Sequence, residues 1–122
     1  MAKIVEIPTF GDARGELSVL ESAVNFPIRR VYYIHHAEGL RGGHRHKKNT
    51  QFLVAVSGKV VIHVNDGREK KDYYMDSPRK GLILETADWH TMDNFSKDCV
   101  LLVLASERYD VNDYIDKPYP ES

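Results

Sequence analysis

Residues 51–75 read QFLVAVSGKVVIHVNDGREKKDYYM, and this stretch decides the fold class. Apolar, β-branched and aromatic residues fill three short runs at 51–56, 59–65 and 68–75, with turn residues between them. In the middle run, Val60, Ile62 and Val64 share one face, which is the period of two expected of a β-strand. Asn65-Asp66-Gly67, between the second and third runs, is a strong signal for a hairpin. The stretch therefore predicts successive antiparallel strands.

The strand pattern continues on both sides of this stretch. Further β-branched or aromatic runs lie at 17–20, 29–35, 81–84 and 99–105, and turn-forming residues separate them. Only residues 106–115 have the composition of a short C-terminal helix or wrap, and residues from about 116 onward are read as a tail. Seven or more strands in 122 residues predict a single all-β domain over residues 1–122, built as a small barrel or jelly roll.

The composition excludes several classes of function. Seventeen basic and eighteen acidic residues give a formal charge of -1, which argues against a nucleic-acid partner. Cys99 is the single cysteine, so an intrachain disulfide and a multi-thiolate zinc site are excluded, and a reducing compartment is favoured. No apolar run approaches the roughly 18 residues of a membrane span, and the first residues lack the apolar core of a signal peptide. We therefore expect a cytoplasmic protein with no membrane partner.

The densest polar segment, residues 41–48, reads RGGHRHKK and lies beside the apolar run at 51–56. On a strand, His44 and His46 project from the same face about 7 Å apart. Such a pair can hold a metal, or it can place a base and a hydrogen-bonding partner against one ligand. A solvated basic edge strand is the alternative, but the adjoining glycines and apolar strand favour a functional site.

The spacing of these histidines matches the first sequence motif of the cupins, which are small β-barrels. Cupins carry a glutamate after the His-x-His pair. Counting back from Gly58 places Gln51 at that position, and a one-residue shift places Thr50 there. The second cupin motif is echoed by Gly81, His90 and Asn94. Because neither Gln51 nor Thr50 supplies an anionic ligand, we expect a cupin that uses its histidines as acid–base groups and needs no cofactor.

Over nearly its whole length the chain resembles the nucleotide-sugar 3,4-ketoisomerases, small cupins that convert a TDP-4-keto-6-deoxyhexose into its 3-keto isomer. No single motif carries the resemblance, which rests on several motifs that occur in the same order as in the family. The matching segments are residues 12–17, 30–34, 41–48, 76–78, 81–82, 89–90, 99–106, 109–110 and 113–115. Three residues depart from the family pattern: Gly43, Arg45 and Thr50 stand where the family usually has phenylalanine, a small residue and glutamate.

The resemblance implies a set of catalytic residues. His44 is the base that moves a proton between C3 and C4 through an enediol, a task that suits a pKa near 7. A tyrosine of the Tyr32-Tyr33 pair handles the oxygen-bound protons. Adjacent strand residues face opposite sides, so only one of the two enters the pocket, and alignment favours Tyr32, leaving Tyr33 as a packing or substrate-contacting residue. His46 would orient the sugar or share the proton relay.

The resemblance also implies how the TDP-sugar is bound. Arg41 would hold the diphosphate in a bidentate contact, while Arg14 and His90 would line the sugar end. An arginine combined with a histidine at these two places resembles the galacto-producing pattern. The run at 99–105 is apolar on both faces, which suggests that a second subunit covers one of them and predicts a homodimer.

The sequence thus predicts an isomerase of deoxysugar and amino-sugar biosynthesis, as used for O-antigen or S-layer glycans. One alternative is a 3,5-epimerase acting on the same substrate. Another is a metal-dependent cupin enzyme built on His44, His46 and His90. A carbohydrate sensor without turnover is the weakest alternative, because 122 residues leave no room for an output module.

Overall fold

The computed structural model describes residues 1–121 and contains twelve strands and one 3₁₀ turn. The strands are β1 (Lys3–Glu6), β2 (Thr9–Asp12), β3 (Gly15–Ser18), β4 (Arg30–His35), β5 (Arg41–His46), β6 (Gln51–Ser57), β7 (Val60–Asn65), β8 (Lys70–Met75), β9 (Lys80–Leu84), β10 (Trp89–Asp93), β11 (Val100–Ala105) and β12 (Tyr114–Ile115). The 3₁₀ turn, Val111–Asp113, lies between β11 and β12. Within residues 1–121 no helix is long and apolar enough to cross a membrane. The predicted all-β class is confirmed.

Two five-stranded antiparallel sheets face each other, and β2 and β3 form a separate hairpin. The first sheet has the order β1-β9-β6-β11-β4, and the second has the order β12-β5-β10-β7-β8. The predicted hairpin is present, because β7 pairs with β8 from Val60↔Met75 to Asn65↔Lys70. Its turn is held by Asp66, whose side chain accepts hydrogen bonds from the backbone N–H groups of Arg68 and Glu69.

The main hydrophobic core lies between the two sheets. Alternate residues of β7 are buried there, as the sequence period predicts. Leu53, Ile62, Met75 and Leu101 are at most 2% exposed and form its centre. Cys99 is buried in the same cluster as a free thiol. This apolar filling leaves room for a site at one end of the space between the sheets.

A second apolar cluster covers the outer face of the first sheet. Phe52, Val54, Ile83 and Leu104 point outward from the sheet, and partly buried residues of the segment before β4 pack on them. Those residues are Leu20, Val24 and Phe26. The apolar outer face of the 99–105 run is therefore covered in large part by this chain's own loop, which corrects the reason given for expecting a second subunit there.

The C-terminal segment is a wrap and not a free tail. After the 3₁₀ turn, β12 pairs with β5 at Tyr114↔His46. Beyond it, the Asp116 carbonyl accepts a hydrogen bond from Trp89 Nε1 at 3.1 Å, and Tyr119 donates its hydroxyl to the Ala87 carbonyl at 2.7 Å. These contacts hold residues 116–119 against the second sheet, which corrects the predicted tail from residue 116.

Candidate active site

A cavity of about 190 Å³ opens between the two sheets at the end of the core. Both sheets contribute to it, since β4 and β6 belong to the first and β5, β10 and β12 to the second. The lining residues are Arg30, Tyr32, Ile34, Arg41, Gly42, His44, Gln51, Leu53, His90, Met92 and Tyr114. Four predicted site residues, Tyr32, Arg41, His44 and His90, therefore meet around one cavity.

Close contact between β5 and β10 places two histidines side by side. His44 pairs with His90 across the strands, and the register shifts immediately afterwards so that Thr91 pairs with Gly42. Gly42 has φ +87°, and a Cβ there would lie 3.0 Å from the His90 carbonyl oxygen. Only glycine fits this position without strain. The result is that the rings of His44 and His90 lie 5.0 Å apart between centroids.

His90 is a neutral imidazole in this structure's environment. It is 2% exposed, and burial lowers its pKa to about 4. Its Nδ1 lies 3.0 Å from the Asp88 carbonyl oxygen, which can only accept a hydrogen bond, so Nδ1 carries the proton. Nε2 is then left with a lone pair and can accept a hydrogen bond from a bound molecule.

His44 is the histidine best placed to exchange a proton with a ligand in the cavity. Burial lowers its pKa below the ordinary value, and the repulsion between the rings of His44 and His46 when both are protonated lowers it further. The imidazole is consequently neutral at neutral pH and able to accept a proton. The Tyr114 ring packs against it edge-on with centroids 4.7 Å apart.

His46 is 3% exposed and does not line the cavity. Its ring lies behind that of His44, 5.2 Å away between centroids, and against Tyr114 at 4.7 Å. Its Nδ1 is 2.9 Å from Asp113 Oδ2. Although the two histidines share a strand face as predicted, β12 pairs over the His46 end of β5. The expectation that His46 orients the sugar directly is therefore corrected: in this chain it contacts His44 and not the cavity.

Tyr32 and Tyr33 lie on opposite faces of β4. Tyr32 points into the cavity, where Gln51 Nε2 donates a hydrogen bond to its hydroxyl oxygen at 3.1 Å. Burial raises the pKa of the Tyr32 phenol, and the nearby Arg30 guanidinium opposes that rise. Tyr33 is 62% exposed on the outside, so its assignment as a substrate contact within one chain is corrected by the alternation of the strand.

Arg14 lies away from the cavity in the turn between β2 and β3. Its side chain is 90% exposed and pairs with Asp12 at 2.6 Å. The hairpin forms a groove of its own from residues 10–17. The predicted placement of Arg14 beside the sugar is thus not found within one chain, because the hairpin pairs with neither large sheet and Arg14 does not line the cavity.

Three site residues escaped the sequence analysis. Asp113 and Tyr114 reach the site only because β12 returns to pair with β5, although they lie in a segment that matched the family motifs. Arg30 lines the cavity and stacks its guanidinium 4.4 Å from the Tyr32 ring centroid. Two sequence signals could have found Arg30: its alternation with Tyr32 along β4, and its place in the matching segment 30–34.

The three histidines of the alternative metal-dependent reading, His44, His46 and His90, are not arranged as a ligand set in the described part of the chain. Among residues 1–121 no group of three histidine, cysteine, aspartate or glutamate side chains is arranged to hold a metal. His46 and His90 each direct Nδ1 at a protein oxygen, and Gln51 directs its amide at Tyr32. The donor arrangement fits proton exchange and hydrogen bonding with an organic ligand.

Comparison with known proteins gives consistent matches. The family described as "FdtA: WxcM-like, C-terminal" matches residues 1–120. A TDP-4-oxo-6-deoxy-alpha-D-glucose-3,4-oxoisomerase from Aneurinibacillus thermoaerophilus is 43% identical over 117 residues, covering 93% of this chain and 84% of that protein. The crystal structure of QdtA, a sugar 3,4-ketoisomerase from Thermoanaerobacterium thermosaccharolyticum in complex with TDP, has a TM-score of 0.91 at 37% identity and covers 95% of this chain and 88% of its own. The WlaRB TDP-quinovose 3,4-ketoisomerase from Campylobacter jejuni has a TM-score of 0.91 at 39% identity, with 95% and 92% covered.

Proposed function

The chain belongs to the FdtA family of WxcM-like, C-terminal domains, and from that premise we propose that it is a sugar-nucleotide 3,4-ketoisomerase acting on TDP-4-keto-6-deoxyglucose. The single observation that carries the proposal is the placement of a neutral His44 and the Gln51-bound Tyr32 phenol at one cavity. One group can exchange carbon-bound protons and the other can exchange oxygen-bound protons. Moving a carbonyl along a sugar ring requires both.

The reaction divides into two proton transfers at carbon and two at oxygen. His44 takes the proton from C3, the C3–H electron pair forms the C3–C4 double bond, and O4 receives a proton from Tyr32. In the resulting enediol, O3 returns its proton to Tyr32, the C3 carbonyl forms, and C4 takes the proton from His44. Both side chains end in their starting states, so no oxidant or reductant is consumed.

Gln51 and Arg30 support the tyrosine in this scheme. Because the Gln51 amide donates to the Tyr32 oxygen, the phenol's own proton is free to be donated toward the cavity. When that proton has gone, the same N–H and the Arg30 guanidinium stabilise the phenolate. The two neighbours therefore favour the charged form of Tyr32 that burial alone disfavours.

Arg41 is the cation proposed to hold the diphosphate. It lines the cavity, and it forms no ion pair with a carboxylate within residues 1–121. A guanidinium that is not already paired with a carboxylate can bind phosphate oxygens in a bidentate contact. His90 is neutral, so its part is hydrogen bonding at the sugar end and not charge pairing with phosphate.

We propose that the enzyme is a homodimer in which the partner's hairpin completes the site. β4 is an edge strand, and Val31 and Tyr33 on its outer face are 59% and 62% exposed. On the β2–β3 hairpin, Phe10 pairs with Leu17, and each is 64% exposed. If a second copy of the chain covers these surfaces, its hairpin would also bring its own Arg14 side chain toward the cavity of the first copy.

The dimer proposal is tested with mixed protomers. An Arg14→Ala protein and a His44→Asn protein are each expected to be impaired, while a heterodimer has one site with both residues intact. Activity that returns on mixing supports a shared site, whereas a monomer by light scattering, or no recovery in proven heterodimers, contradicts it. Tyr33→Asp is a second variant. We expect it to weaken the dimer, and the new side chain would stay outside the cavity because Tyr33 lies on the outer face of β4.

The activity is tested by NMR with TDP-4-keto-6-deoxyglucose in D₂O. We expect the carbonyl to move to C3, with deuterium at C4 to the extent that the proton on His44 exchanges with solvent before it is returned to the sugar. Deuterium at C5 with the carbonyl still at C4 would instead identify a 3,5-epimerase. His44→Asn should abolish turnover, and His63→Asn, on the outer face of β7, is the matched control that should not. Full activity of His44→Asn would contradict the assigned base.

The product is proposed to have the galacto configuration at C4, on the resemblance of Arg14 and His90 to that pattern. The coupling constant between H4 and H5 of the product distinguishes the two C4 epimers. A gluco product would reject the assignment while leaving the isomerase activity intact. The cytoplasmic location and the absence of a cofactor stay predictions.

A further inference from the structure

We propose that Asp113 is a positioning residue of this site, which holds His46 in one orientation and one tautomer behind His44. Asp113 does not line the cavity and carries no role in the scheme above. Its importance to the reaction rests on the proposed function, whereas its effect on the His46 ring does not.

The carboxylate is held in place independently of the histidine. Asp113 Oδ1 accepts the backbone N–H of Lys48 at 2.8 Å, and the Asp113 carbonyl accepts the N–H of Lys47 at 2.9 Å. Both donors immediately follow β5, the strand that carries His46. The second carboxylate oxygen, Oδ2, is thereby aimed at His46 Nδ1, 2.9 Å away. The side chains are 3% and 10% exposed for His46 and Asp113, so water competes little for this bond.

The bond determines which ring nitrogen is protonated. A carboxylate accepts and does not donate, so the proton of a neutral His46 resides on Nδ1. Nε2 then keeps its lone pair, and this atom is buried with no hydrogen-bond partner within residues 1–121. An Nε2–H tautomer would leave a buried donor unsatisfied and would set two acceptors, Nδ1 and Oδ2, against each other.

The ring that Asp113 fixes is part of the wall behind the proposed base. His46 contacts His44 and Tyr114 edge-on, and both of those residues line the cavity. A His46 ring that rotated or changed tautomer would alter the packing and the local field at His44. The alternative to a positioning role is a purely structural one, in which Asp113 only connects the C-terminal wrap to β5.

Asp113→Asn separates the two roles. The Asn carbonyl can still accept from the Lys48 N–H, which directs the amide NH₂ toward His46 Nδ1. A donor there requires an acceptor, so the His46 proton is expected to move to Nε2. Long-range ¹H–¹⁵N correlation spectra of the free protein report the tautomer directly, and they need no substrate and no turnover.

In the reaction, we expect the same variant to lower kcat by roughly 10- to 100-fold, with a much smaller change in KM; this is no more than the low end of the roughly 100- to 10,000-fold that acid–base catalysis contributes, because the variant misplaces a neighbour of the base and leaves the base itself present. Asp113→Glu should restore the Nδ1–H tautomer and part of kcat. Asp110→Ala is the matched control, because Asp110 caps the same 3₁₀ turn through the Asn112 N–H and does not touch His46. It should loosen the wrap while leaving the tautomer and kcat near wild type.

The proposal is overturned if the proton stays on Nδ1 in Asp113→Asn. It is also overturned if the tautomer changes while kcat does not, or if Asp110→Ala lowers kcat as much as Asp113→Asn. An altered tautomer together with the selective loss of kcat supports it. If the wild-type protein fails to isomerise the TDP-sugar, the proposed function fails, whereas the spectra still decide whether Asp113 sets the His46 tautomer.

Discussion

Replacing Gln51 with methionine should slow the enzyme without unfolding it. Gln51 is 3% exposed, makes one side-chain hydrogen bond to Tyr32, and buries its Oε1 with no partner within residues 1–121. A buried oxygen without a partner costs about 1–3 kcal/mol, whereas one ordinary hydrogen bond contributes about 0.5–1.5 kcal/mol. Methionine has a similar length and removes both the cost and the bond. We therefore expect the free energy of unfolding to change by less than about 1 kcal/mol, in either direction.

Catalysis should respond differently, because the bond becomes charge-assisted once Tyr32 has donated its proton. A hydrogen bond to a charged group is worth about 1.5–3 kcal/mol, which corresponds to roughly a 10- to 150-fold loss in kcat. Gln51→Glu should cost at least as much, because a carboxylate faces the phenolate oxygen.

The assay compares kcat, followed by NMR of the TDP-sugar, with urea unfolding of the same preparations. The expected result is a large loss in kcat at nearly constant stability. A kcat within about twofold of wild type would refute the claim that Gln51 supports the tyrosine. If kcat falls only in proportion to the free energy of unfolding, Gln51 acts through packing and has no role in supporting Tyr32.

Three further predictions concern pH and backbone geometry. Because the pKa of His44 is lowered, the acid limb of kcat/KM should lie below pH 6.5, with a plateau at neutral pH; a limb above pH 7 would contradict His44 as the neutral base. The hydrogen bond to Asp72 and the nearby Asp93 raise the pKa of His63, so this cluster stabilises the fold fully below about pH 6.5 and loses that contribution as pH rises through the folded pKa. Urea unfolding at several pH values should show this fall, and His63→Asn should flatten it; an unchanged slope would contradict the assignment. Gly42→Ala should destabilise the fold by about 1–3 kcal/mol and lower kcat, because the added Cβ meets the His90 carbonyl. Gly39→Ala, also at positive φ but with no heavy atom within 4 Å of its Cβ, is the control that measures strain alone; equal losses of kcat in the two variants would contradict a role in setting the His44–His90 approach.

The strands richest in alternating apolar residues could be predicted to within a residue or two. The predicted runs 51–56 and 59–65 correspond to β6 (Gln51–Ser57) and β7 (Val60–Asn65). These strands carry their own signal, since their residues face a core on one or both sides. The short β1, β2 and β12 were missed, as was β10 (Trp89–Asp93), because two to five residues hold too few alternations to be distinguished from loop.

The placement of the candidate site could be predicted in part. His44 and Tyr32 lie on strands whose alternation can be read locally, and both reach the cavity. His46 has the same alternation but is covered by β12, which lies 68 positions further along the chain at Tyr114. Arg14 lies on a hairpin whose position depends on what the hairpin packs against. Neither the covering of His46 by β12 nor the position of the hairpin can be predicted from local periodicity.

By itself the sequence determined the all-β class, the central hairpin, and the ordered motifs by which the family is recognised. Those properties depend on neighbouring residues: side-chain alternation, turn chemistry and spacing along one strand. Only the tertiary structure decided that His90 is buried and neutral, that Gln51 supports Tyr32, and that Asp113 holds His46. Each depends on strands distant in sequence being brought within hydrogen-bonding distance, where burial and neighbouring groups shift the pKa values of the site histidines and of Tyr32.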